Sequence, residues 1–291
     1  MKRLVPQLAL HLFVASFGFV YLYPFLYMVA NAFMSTQDVV NPLVRWIPTG
    51  LHFDNFAKAW DALDVWTSLP VSVLLSSVLA LAQTASSAVI GYGLARFQFR
   101  GRRVIFALVL VTIVVAPAIT LIPRYMFFDL LGMVGTPLPL VLPALFGQGI
   151  NAGIFILIFY QFFRVVPRVL DEAAEIDGAG KLQLFLRIAV PVSTPAIVVS
   201  LIFSLVWNWN ETFNTALMLG NSLETLPMKL TNFVTLYYQK NPMQWGSTSN
   251  RLNEGLRLAG TLLAILPLLI AYFFLQKSFV ESVDRSGITG E

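Results

Sequence analysis

The sequence contains no cysteine and only two histidines, His11 and His52. Without cysteine the chain has no disulfide framework and no thiolate metal site, and two histidines are too few for a histidine metal cluster. Charge is also scarce, because Asp, Glu, Lys and Arg make up 12% of the 291 residues, about half of the ~25% typical of soluble domains. We therefore expect neither a metal centre in this chain nor an ordinary soluble domain.

Apolar sequence is abundant instead, at 57% of residues with a mean hydropathy of +0.74. Six long stretches lack any charged residue, the shortest being Leu258–Gln276, and a helix needs about 20 apolar residues to cross a bilayer. One large soluble core is the disfavoured alternative. We predict an all-α, polytopic membrane protein, a single domain over residues 1–291, with six transmembrane helices near residues 8–33, 69–94, 104–124, 148–164, 195–217 and 258–276.

The first apolar stretch has two readings. Lys2 and Arg3 precede it, and Ala30–Ala32 is similar to a signal-peptidase site. A signal peptide has an apolar region of only about 7–15 residues, whereas this stretch continues to about Met34. We expect a retained first transmembrane helix, with cleavage as the alternative.

The uncharged stretch Leu130–Phe163 is too long for one transmembrane helix and too short for two. Its first half contains three prolines and three glycines, residues that interrupt helices. We therefore expect a bent apolar segment over residues 130–147 at the membrane surface, followed by a transmembrane helix that starts near Gln148.

The basic residues predict the orientation in the membrane. With six transmembrane helices both termini lie on the same side, and that side carries 12 of the 19 Lys and Arg residues. Loops rich in Lys and Arg stay in the cytoplasm, so we expect cytoplasmic termini in a multi-pass protein of the cell inner (plasma) membrane. The basic residues are scattered between the predicted helices, which argues against nucleic acid as a partner.

The longest predicted cytoplasmic loop contains the stretch DEAAEIDGAG, Asp171–Gly180. Leu170, Ala173 and Ala174 follow the i, i+3, i+4 spacing of one helix face, and their small side chains would let another protein approach closely. Gly178 and Gly180 are expected to end this helix, and Gly178 permits a left-handed turn. A docking element for a soluble partner is the functional interpretation, and a loop that caps its own bundle is the alternative.

A second helical stretch, Lys181–Val190, follows in the same loop. Its spacing places Leu182, Phe185, Leu186 and Ala189 on one side. The sequence then reaches Pro191. We expect the whole surface loop to extend over residues 167–190.

The same loop resembles a family motif. The loop contains Glu172-Ala173-Ala174, then Gly178 after three residues, Ile188 after nine more and Val190-Pro191 after one more. This pattern resembles the EAA loop of ABC-importer permeases, EAA-x3-G-x9-I-x-L-P. Only Val190 departs from that pattern. The resemblance implies that the loop is a coupling helix seated in a groove of an ATP-hydrolysing subunit, where Glu172 would pair with a basic residue. The coupling residues implied are Leu170, Glu172, Ala173, Ala174, Asp177, Gly178, Ala179, Phe185, Ile188 and Pro191.

Three weaker stretches agree with this resemblance. Gly91–Arg103 is similar to the end of the second transmembrane helix of sugar-importer permeases, Trp207–Leu217 to an element of the fifth, and Asn241–Gly246 to the outer loop before the sixth. The chain thus resembles the carbohydrate-uptake group, of which the smaller maltose permease subunit is typical. This implies the transmembrane domain of a type I ABC importer. The tail Ser286–Glu291 departs from the Gly-rich, Lys-Gly ending of that group.

The resemblance also implies partners and cofactors. Expected partners are a dimer of ATP-binding subunits, a second permease subunit in a heterodimer, an extracytoplasmic solute-binding protein and the lipid bilayer. ATP and Mg would bind to the ATPase, because no phosphate-binding loop of the form GxxxxGK[ST] occurs in this chain. The chain itself is then expected to hold no cofactor and to be no enzyme.

Polar residues inside the predicted helices are candidates for the substrate pathway, because such residues often face a cavity or a partner. Asn208 and Glu211 have i, i+3 spacing and would share a helix face beside Trp207. Glu211 at a wet interface, and asparagines bonded to neighbouring helices, are the alternatives. The candidates are Gln83, Trp207, Asn208, Asn210 and Glu211.

The long loop before the last transmembrane helix provides a candidate contact with the solute-binding protein, as the matching loop does in the family it resembles. Its residues are Asn241, Pro242, Gln244 and Trp245. An ordinary turn in which Trp245 lies at the membrane interface is the alternative.

These observations favour a permease subunit of an ATP-driven, binding-protein-dependent importer for a sugar or oligosaccharide, working by alternating access. An importer of polyamine, glycerol phosphate or phosphate is the first alternative, although the predicted helices hold one acid and no arginine cluster. A stand-alone secondary transporter or a membrane enzyme is the remote alternative.

Overall fold

The computed structural model describes residues 4–44, 46–176, 178–220, 222–242 and 253–287, and over these ranges it contains helices and no β-strand. This confirms the all-α prediction for the described part of the chain. Residues Phe185–Ala189 form a single π-helical turn. The α-helices in chain order are α1 (Leu4–Ala32), α2 (Thr36–Val40), α3 (Asp54–Leu63), α4 (Val65–Arg96), α5 (Arg102–Val114), α6 (Pro117–Leu130), α7 (Leu138–Leu145), α8 (Ala152–Val165), α9 (Val169–Ile176), α10 (Lys181–Leu184), α11 (Val190–Val192), α12 (Thr194–Asn210), α13 (Phe213–Leu219), α14 (Leu226–Thr231), α15 (Phe233–Lys240) and α16 (Glu254–Gly287).

The chain divides into two compact units. The first comprises Met1–Ser68 and Lys229–Pro267, and the second comprises Leu69–Met228 and Leu268–Glu291. The boundaries fall inside helices rather than in linkers. The candidate coupling loop and the candidate pathway residues all belong to the second unit. The single domain over residues 1–291 stays a prediction.

Among the described residues, three helices are long and apolar enough to cross a bilayer, namely Leu10–Ala32, Val65–Arg96 and Glu254–Gln276. Three further candidates are pairs of shorter helices that are bent at a short break. The described residues therefore contain three candidate transmembrane helices, or up to six if each bent pair crosses once. Six transmembrane helices stays a prediction.

The predicted transmembrane helix at 104–124 is not continuous in the structure. Helix α5 ends at Val114, α6 begins at Pro117, and the two are bent by 104°. Proline disfavours a helical conformation at the residue before it, and Ala116 has the extended angles φ −62° and ψ 130°. The break therefore follows from Pro117.

The predicted helix at 195–217 is also interrupted, because α12 ends at Asn210 and α13 begins at Phe213. The fourth predicted helix, at 148–164, begins later than expected, at Ala152.

The segment over residues 130–147 is partly buried within the second unit. It contains α7, whose residues Leu140 and Ala144 are 5% and 2% exposed. They belong to a hydrophobic cluster with Leu75 of α4 and Phe128 of α6. Gly147, just after α7, has φ +69° and lies where a Cβ atom would come within 2.4 Å of the Ile90 side chain. Only glycine meets both requirements without strain.

Buried and half-buried polar contacts organise the first unit. The Asn55 side-chain amide of α3 donates to the carbonyls of Ala32 and Met34 at 2.9 and 2.8 Å, so it satisfies oxygens at the end of α1. The Lys229 ammonium of α14 lies 3.2 Å from a carboxylate oxygen of Asp64. Asp64 ends α3 in a left-handed conformation with φ +49°, which Asp and Asn tolerate better than most residues.

Asp64 provides a test based on pH. The hydroxyl of Thr67, followed by the ammonium of Lys229, lowers the pKa of the Asp64 carboxyl below its usual value. A carboxyl with a lowered folded-state pKa stabilises the fold above its unfolded pKa of about 3.9, and this contribution is lost as pH falls through the folded pKa. We expect Asp64→Asn to lower the unfolding temperature of the detergent-purified protein at pH 7 and to leave it nearly unchanged near pH 2.

Asp61→Asn is the matched control, because Asp61 pairs with Lys240 at 3.6 Å while its side chain is 69% exposed. Exposed ion pairs contribute little, about 0–1 kcal/mol. An equal effect of the two variants at pH 7, or an effect of Asp64→Asn that does not shrink in acid, would contradict this role of Asp64.

Candidate functional site

The candidate coupling loop is built around α9, which follows α8 after a bend of 74°. Pro167 lies in the break, and the carbonyl of Arg168 accepts the first helical hydrogen bonds, from the amides of Asp171 and Glu172 at 2.9 and 3.0 Å. The helix begins at Val169, so Pro167 lies just before it and not in its first turn. Proline cannot continue the preceding helix, which explains why α8 stops here.

A buried arginine attaches α9 to α4. Arg96, the last residue of α4, has a side chain that is only 8% exposed, and its Nε lies 3.4 Å from a carboxylate oxygen of Asp171 in α9. Its Nη2 donates to the carbonyl of Val166 at 2.9 Å. One guanidinium therefore holds both the bent connection and the first turn of α9.

This contact was not predicted from the sequence. Arg96 and Asp171 are distant in the chain, so local sequence patterns do not indicate that they meet. Removing one partner of a largely buried ion pair destabilises the fold, because a charge is left without compensation. The Arg96–Asp171 pair and the Arg96–Val166 hydrogen bond therefore both fix the position of α9.

Aromatic contacts extend this attachment. The Tyr92 ring of α4 lies 5.2 Å from the ring of Phe163 in α8 and 5.0 Å from that of Phe185 in the π-helical turn. Helices α4 and α8 approach closely, since a Cβ atom at Gly91 would lie 2.6 Å from that of Phe159. Tyr92 therefore joins both ends of the loop to one helix.

The outer surface of α9 is exposed. None of its residues is buried, and Leu170 and Ile176 are 42% and 87% exposed. Glu172 and Ala173 are also exposed, and among the described residues Glu172 forms no ion pair. Ala174 is half-buried and faces the protein more closely. The helix thus presents small and apolar side chains with one free carboxylate.

The turn after α9 has the hydrogen bonds of a Schellman motif. The Gly178 amide donates to the Glu175 carbonyl at 3.0 Å, and the Ala179 amide donates to the Ala174 carbonyl at 2.9 Å. Gly178 has φ +81°, the left-handed conformation that the sequence predicted and that this motif requires. Gly180 has φ −71° and ψ 161° and precedes α10. Gly178 therefore forms the turn, whereas Gly180 does not need to be glycine for conformational reasons.

The predicted helix face over Lys181–Val190 is wrong in detail. Leu184 and Ala189 are buried, whereas Leu182 and Leu186 are 69% and 55% exposed. A π-helical turn over Phe185–Ala189 adds one residue to the turn, which shifts the spacing of the buried face. The exposed Leu182 and Leu186 add to the apolar surface next to α9.

The remaining coupling candidates vary in exposure. Phe185, Ile188 and Ala179 are half-buried, and Pro191 is exposed. Asp177 lies outside the described residues.

Gln83 in α4 is completely buried. Its side-chain Nε2 donates to the carbonyl of Ile150, while its Oε1 has no partner among the described residues. Gly149 leaves room for it, because a Cβ atom there would lie 2.7 Å from Oε1. This candidate therefore has a structural contact in the segment before α8 and one unsatisfied acceptor.

The other pathway candidates are not brought together as predicted. Asn208 is buried and donates to the carbonyl of Ser204, one turn earlier, at 2.8 Å. Asn210 is exposed and donates to the carbonyl of Val206 at the same distance. Both asparagine side chains therefore donate within α12.

The prediction that Glu211 shares a helix face with Asn208 is wrong, because α12 ends at Asn210 and Glu211 has the extended angles φ −78° and ψ 99°. The Glu211 carboxylate instead accepts a hydrogen bond from the amide of Asn214 in the first turn of α13, at 2.8 Å. Free amides at a helix N-terminus attract acids, and this contact competes with the continuation of α12. Trp207 packs on Phe155 of α8 with ring centroids 5.2 Å apart.

The candidate contact with a solute-binding protein is only partly described. Asn241 ends α15, and its side-chain amide and main-chain amide both donate to the carbonyl of Tyr237, at 3.2 and 2.8 Å. Pro242 is exposed. Gln244 and Trp245 lie outside the described residues. In the part of the chain that the structure describes, no three His, Cys, Asp or Glu residues are placed to hold a metal ion.

Curated relatives match the chain over nearly its whole length. The polygalacturonan/rhamnogalacturonan transport system permease protein YtcP of Bacillus subtilis (strain 168) is 28% identical over 100% of both chains. The lactose transport system permease protein LacG of Rhizobium radiobacter is 26% identical over 97% of each. The diacetylchitobiose uptake system permease protein DasC of Streptomyces coelicolor is 27% identical over 92% of each.

A solved structure has the same fold. It is the crystal structure of a bacterial ABC transporter involved in the import of the acidic polysaccharide alginate, with a TM-score of 0.72, 21% identity and coverage of 94% of this chain and 96% of that one. A family model described as binding-protein-dependent transport system inner membrane component matches residues 87–285. That range includes the buried Arg96, the exposed α9 and most of the second unit. By this match, the chain belongs to the family of inner membrane components of binding-protein-dependent transport systems.

Proposed function

We propose that this chain is the permease subunit of an ATP-driven importer that takes up a sugar or an oligosaccharide by alternating access. The observation that carries the proposal is the arrangement of α9, whose outer surface is exposed while Arg96 fastens its first turn to the end of α4. A partner that binds the exposed surface would thereby move the membrane-embedded helix as well.

The partner that fits this surface is a dimer of ATP-hydrolysing subunits, which would also bind ATP and Mg. A ligand shifts a conformational equilibrium only by its difference in affinity for the two states. ATP supplies that difference by closing the ATPase dimer, and displacement of α9 passes through Asp171 to Arg96 and through Phe185 to Tyr92. In this chain the only Gly-Lys pair, Gly180-Lys181, lacks the other residues of a phosphate loop.

The complete importer is proposed to contain a second, different permease subunit and an extracytoplasmic solute-binding protein. Asn241, Pro242, Gln244 and Trp245 are the proposed contact with the binding protein. The excess of Lys and Arg on one side supports cytoplasmic termini and a cytoplasmic α9.

Carbohydrate is the proposed solute class. The names of the three curated relatives refer to polygalacturonan/rhamnogalacturonan, lactose and diacetylchitobiose. Trp207, which is half-buried, and Gln83, whose carbonyl oxygen is buried without a partner among the described residues, are the proposed sugar contacts. The amides of Asn208 and Asn210 are engaged within α12. A polyamine or an anion would favour acids or arginines in the transmembrane helices.

Reconstitution tests the function as a whole. Liposomes that contain this chain, its second permease and the ATPase, with the binding protein outside, are expected to accumulate a labelled oligosaccharide only when ATP is enclosed. Accumulation by this chain alone would contradict the proposal, and so would ATP-dependent uptake of a polyamine or phosphate in place of sugar.

Reversing the charge at Glu172 tests the docking surface. We expect Glu172→Lys to reduce ATP-driven uptake more than tenfold, since one reversed charge at a desolvated contact costs 2 kcal/mol or more, while membrane insertion is unchanged. Uptake and the amount of inserted protein are the measurements. The control is Asp54→Lys, which reverses an exposed acid in the first turn of α3. Equal uptake by both variants would refute the docking role.

Gly178 and Gly180 provide a matched pair of variants. Gly178→Val places a β-branched residue at φ +81°, where L-residues are disfavoured by about 1–2 kcal/mol, so we expect the ATPase to co-purify poorly. Gly180→Val is expected to assemble normally, because φ is −71° and nothing lies within 4 Å of its Cβ position. Normal co-purification of the Gly178 variant would show that the turn is not needed for docking.

A further inference from the structure

A cavity lies beside the coupling loop, where the ends of α4 and α8 meet the start of α5. The cavity has a volume of about 400 Å³, which is within the ~300–1,000 Å³ typical of small-molecule sites. Its lining residues are Ala95, Arg96, Arg102, Tyr160, Arg164 and Arg168. Four arginines from the end of α4, the start of α5, the end of α8 and the break before α9 thus face one space.

The cavity has an excess of positive charge. Arg96 is paired with Asp171, but among the described residues Arg102, Arg164 and Arg168 form no ion pair. The Arg164 guanidinium lies over the Tyr160 ring, 5.6 Å from its centroid. Three charges in one cavity repel each other unless an anion compensates them, so the lining is suited to a negatively charged ligand.

The backbone at the start of α5 adds to the positive electrostatic potential in the cavity. Arg102 is the first residue of α5, and no side chain caps this helix at Gly101, which has φ +88°. The amides of an uncapped first turn carry the positive end of the helix dipole and favour phosphate groups. The N-terminus of α5 and the arginine side chains therefore both favour a negatively charged ligand.

An apolar surface continues from the cavity along α5. None of the residues of α5 is buried, and Val104, Ile105 and Leu108 are 63%, 44% and 58% exposed. Helix α5 belongs to a bent pair that is apolar enough to cross a bilayer. A ligand in the cavity would therefore have space for hydrocarbon next to its charged end, which a free anion or an acidic protein segment would not use.

We propose that this cavity binds the phosphate-bearing headgroup of an anionic membrane lipid, with phosphatidylglycerol as the type, and that its acyl chains lie along α5. Basic pockets between transmembrane helices on the cytoplasmic side recognise such headgroups. The bound phosphodiester, which carries one negative charge, would offset part of the charge of Arg102, Arg164 and Arg168 and leave Arg96 to Asp171. This site is separate from the solute pathway and does not depend on which solute is carried.

The test measures lipid binding to the purified full-length chain. Native mass spectrometry in detergent gives apparent dissociation constants for phosphatidylglycerol and for phosphatidylcholine with the same acyl chains. We expect preference for phosphatidylglycerol in the wild type. The triple variant R102Q/R164Q/R168Q is expected to bind phosphatidylglycerol about a hundredfold more weakly, at about fivefold for each arginine lost.

The matched control is R100Q/R103Q/R187Q, which removes the same charge from exposed arginines that do not line the cavity. Its phosphatidylglycerol affinity is expected to stay within twofold of the wild type. If the triple variant does not fold, as judged by circular dichroism and gel filtration, the single variant R168Q carries the test, with an expected fivefold loss.

Three results would overturn the proposal. The first is equal affinity for the two lipids, and the second is equal loss in the cavity and control variants. The third is displacement of the lipid by inorganic phosphate at equal concentration, which would assign the cavity to a free anion. If the triple variant still binds the lipid but no longer assembles with the ATPase, the arginines belong to a contact with a protein partner, which also overturns the proposal.

Discussion

The Arg96 guanidinium is a positive charge that is nearly withdrawn from solvent at the end of α4. Such a group is tolerated only when it is paired and hydrogen-bonded, and here its two partners, the Val166 carbonyl and the Asp171 carboxylate, lie on opposite sides of Pro167. The bend between α8 and α9 therefore has two causes. Pro167 lacks the amide hydrogen that would continue α8, and Arg96 binds groups on both sides of the bend. Any motion that separates α9 from α4 exposes an uncompensated charge, so the two helices are expected to move together.

The rest of the loop is consistent with a rigid lever. Tyr92 contacts aromatic rings from α8 and from the π-helical turn, and Gly178 completes a hydrogen-bonded turn after α9. The surface left over contains the exposed side chains of Leu170, Ala173 and Ile176. A rigid element with an apolar exposed face has the properties that the proposed coupling to a partner requires.

The same arginine also borders the basic cavity, which gives the lipid proposal a mechanical consequence. Arg96 is paired with Asp171 in this structure, and the three neighbouring arginines weaken that pair because like charges oppose each other's favourable interactions. A lipid phosphate would reduce that repulsion from the bilayer side. The attachment of α9 would then depend on the lipid as well as on the protein.

The sequence by itself determined the helical, membrane-embedded class, the position of the exposed loop and the left-handed turn at Gly178, because hydropathy and glycine conformation are local properties. It could not reveal the Arg96–Asp171 pair, whose residues are distant in the chain, or the partner of Gln83 at Ile150. It also misplaced Glu211, because a continued helix and a contact with the next helix compete there. Only the tertiary structure decided these points, since which buried charge meets which oxygen depends on segments that folding brings together.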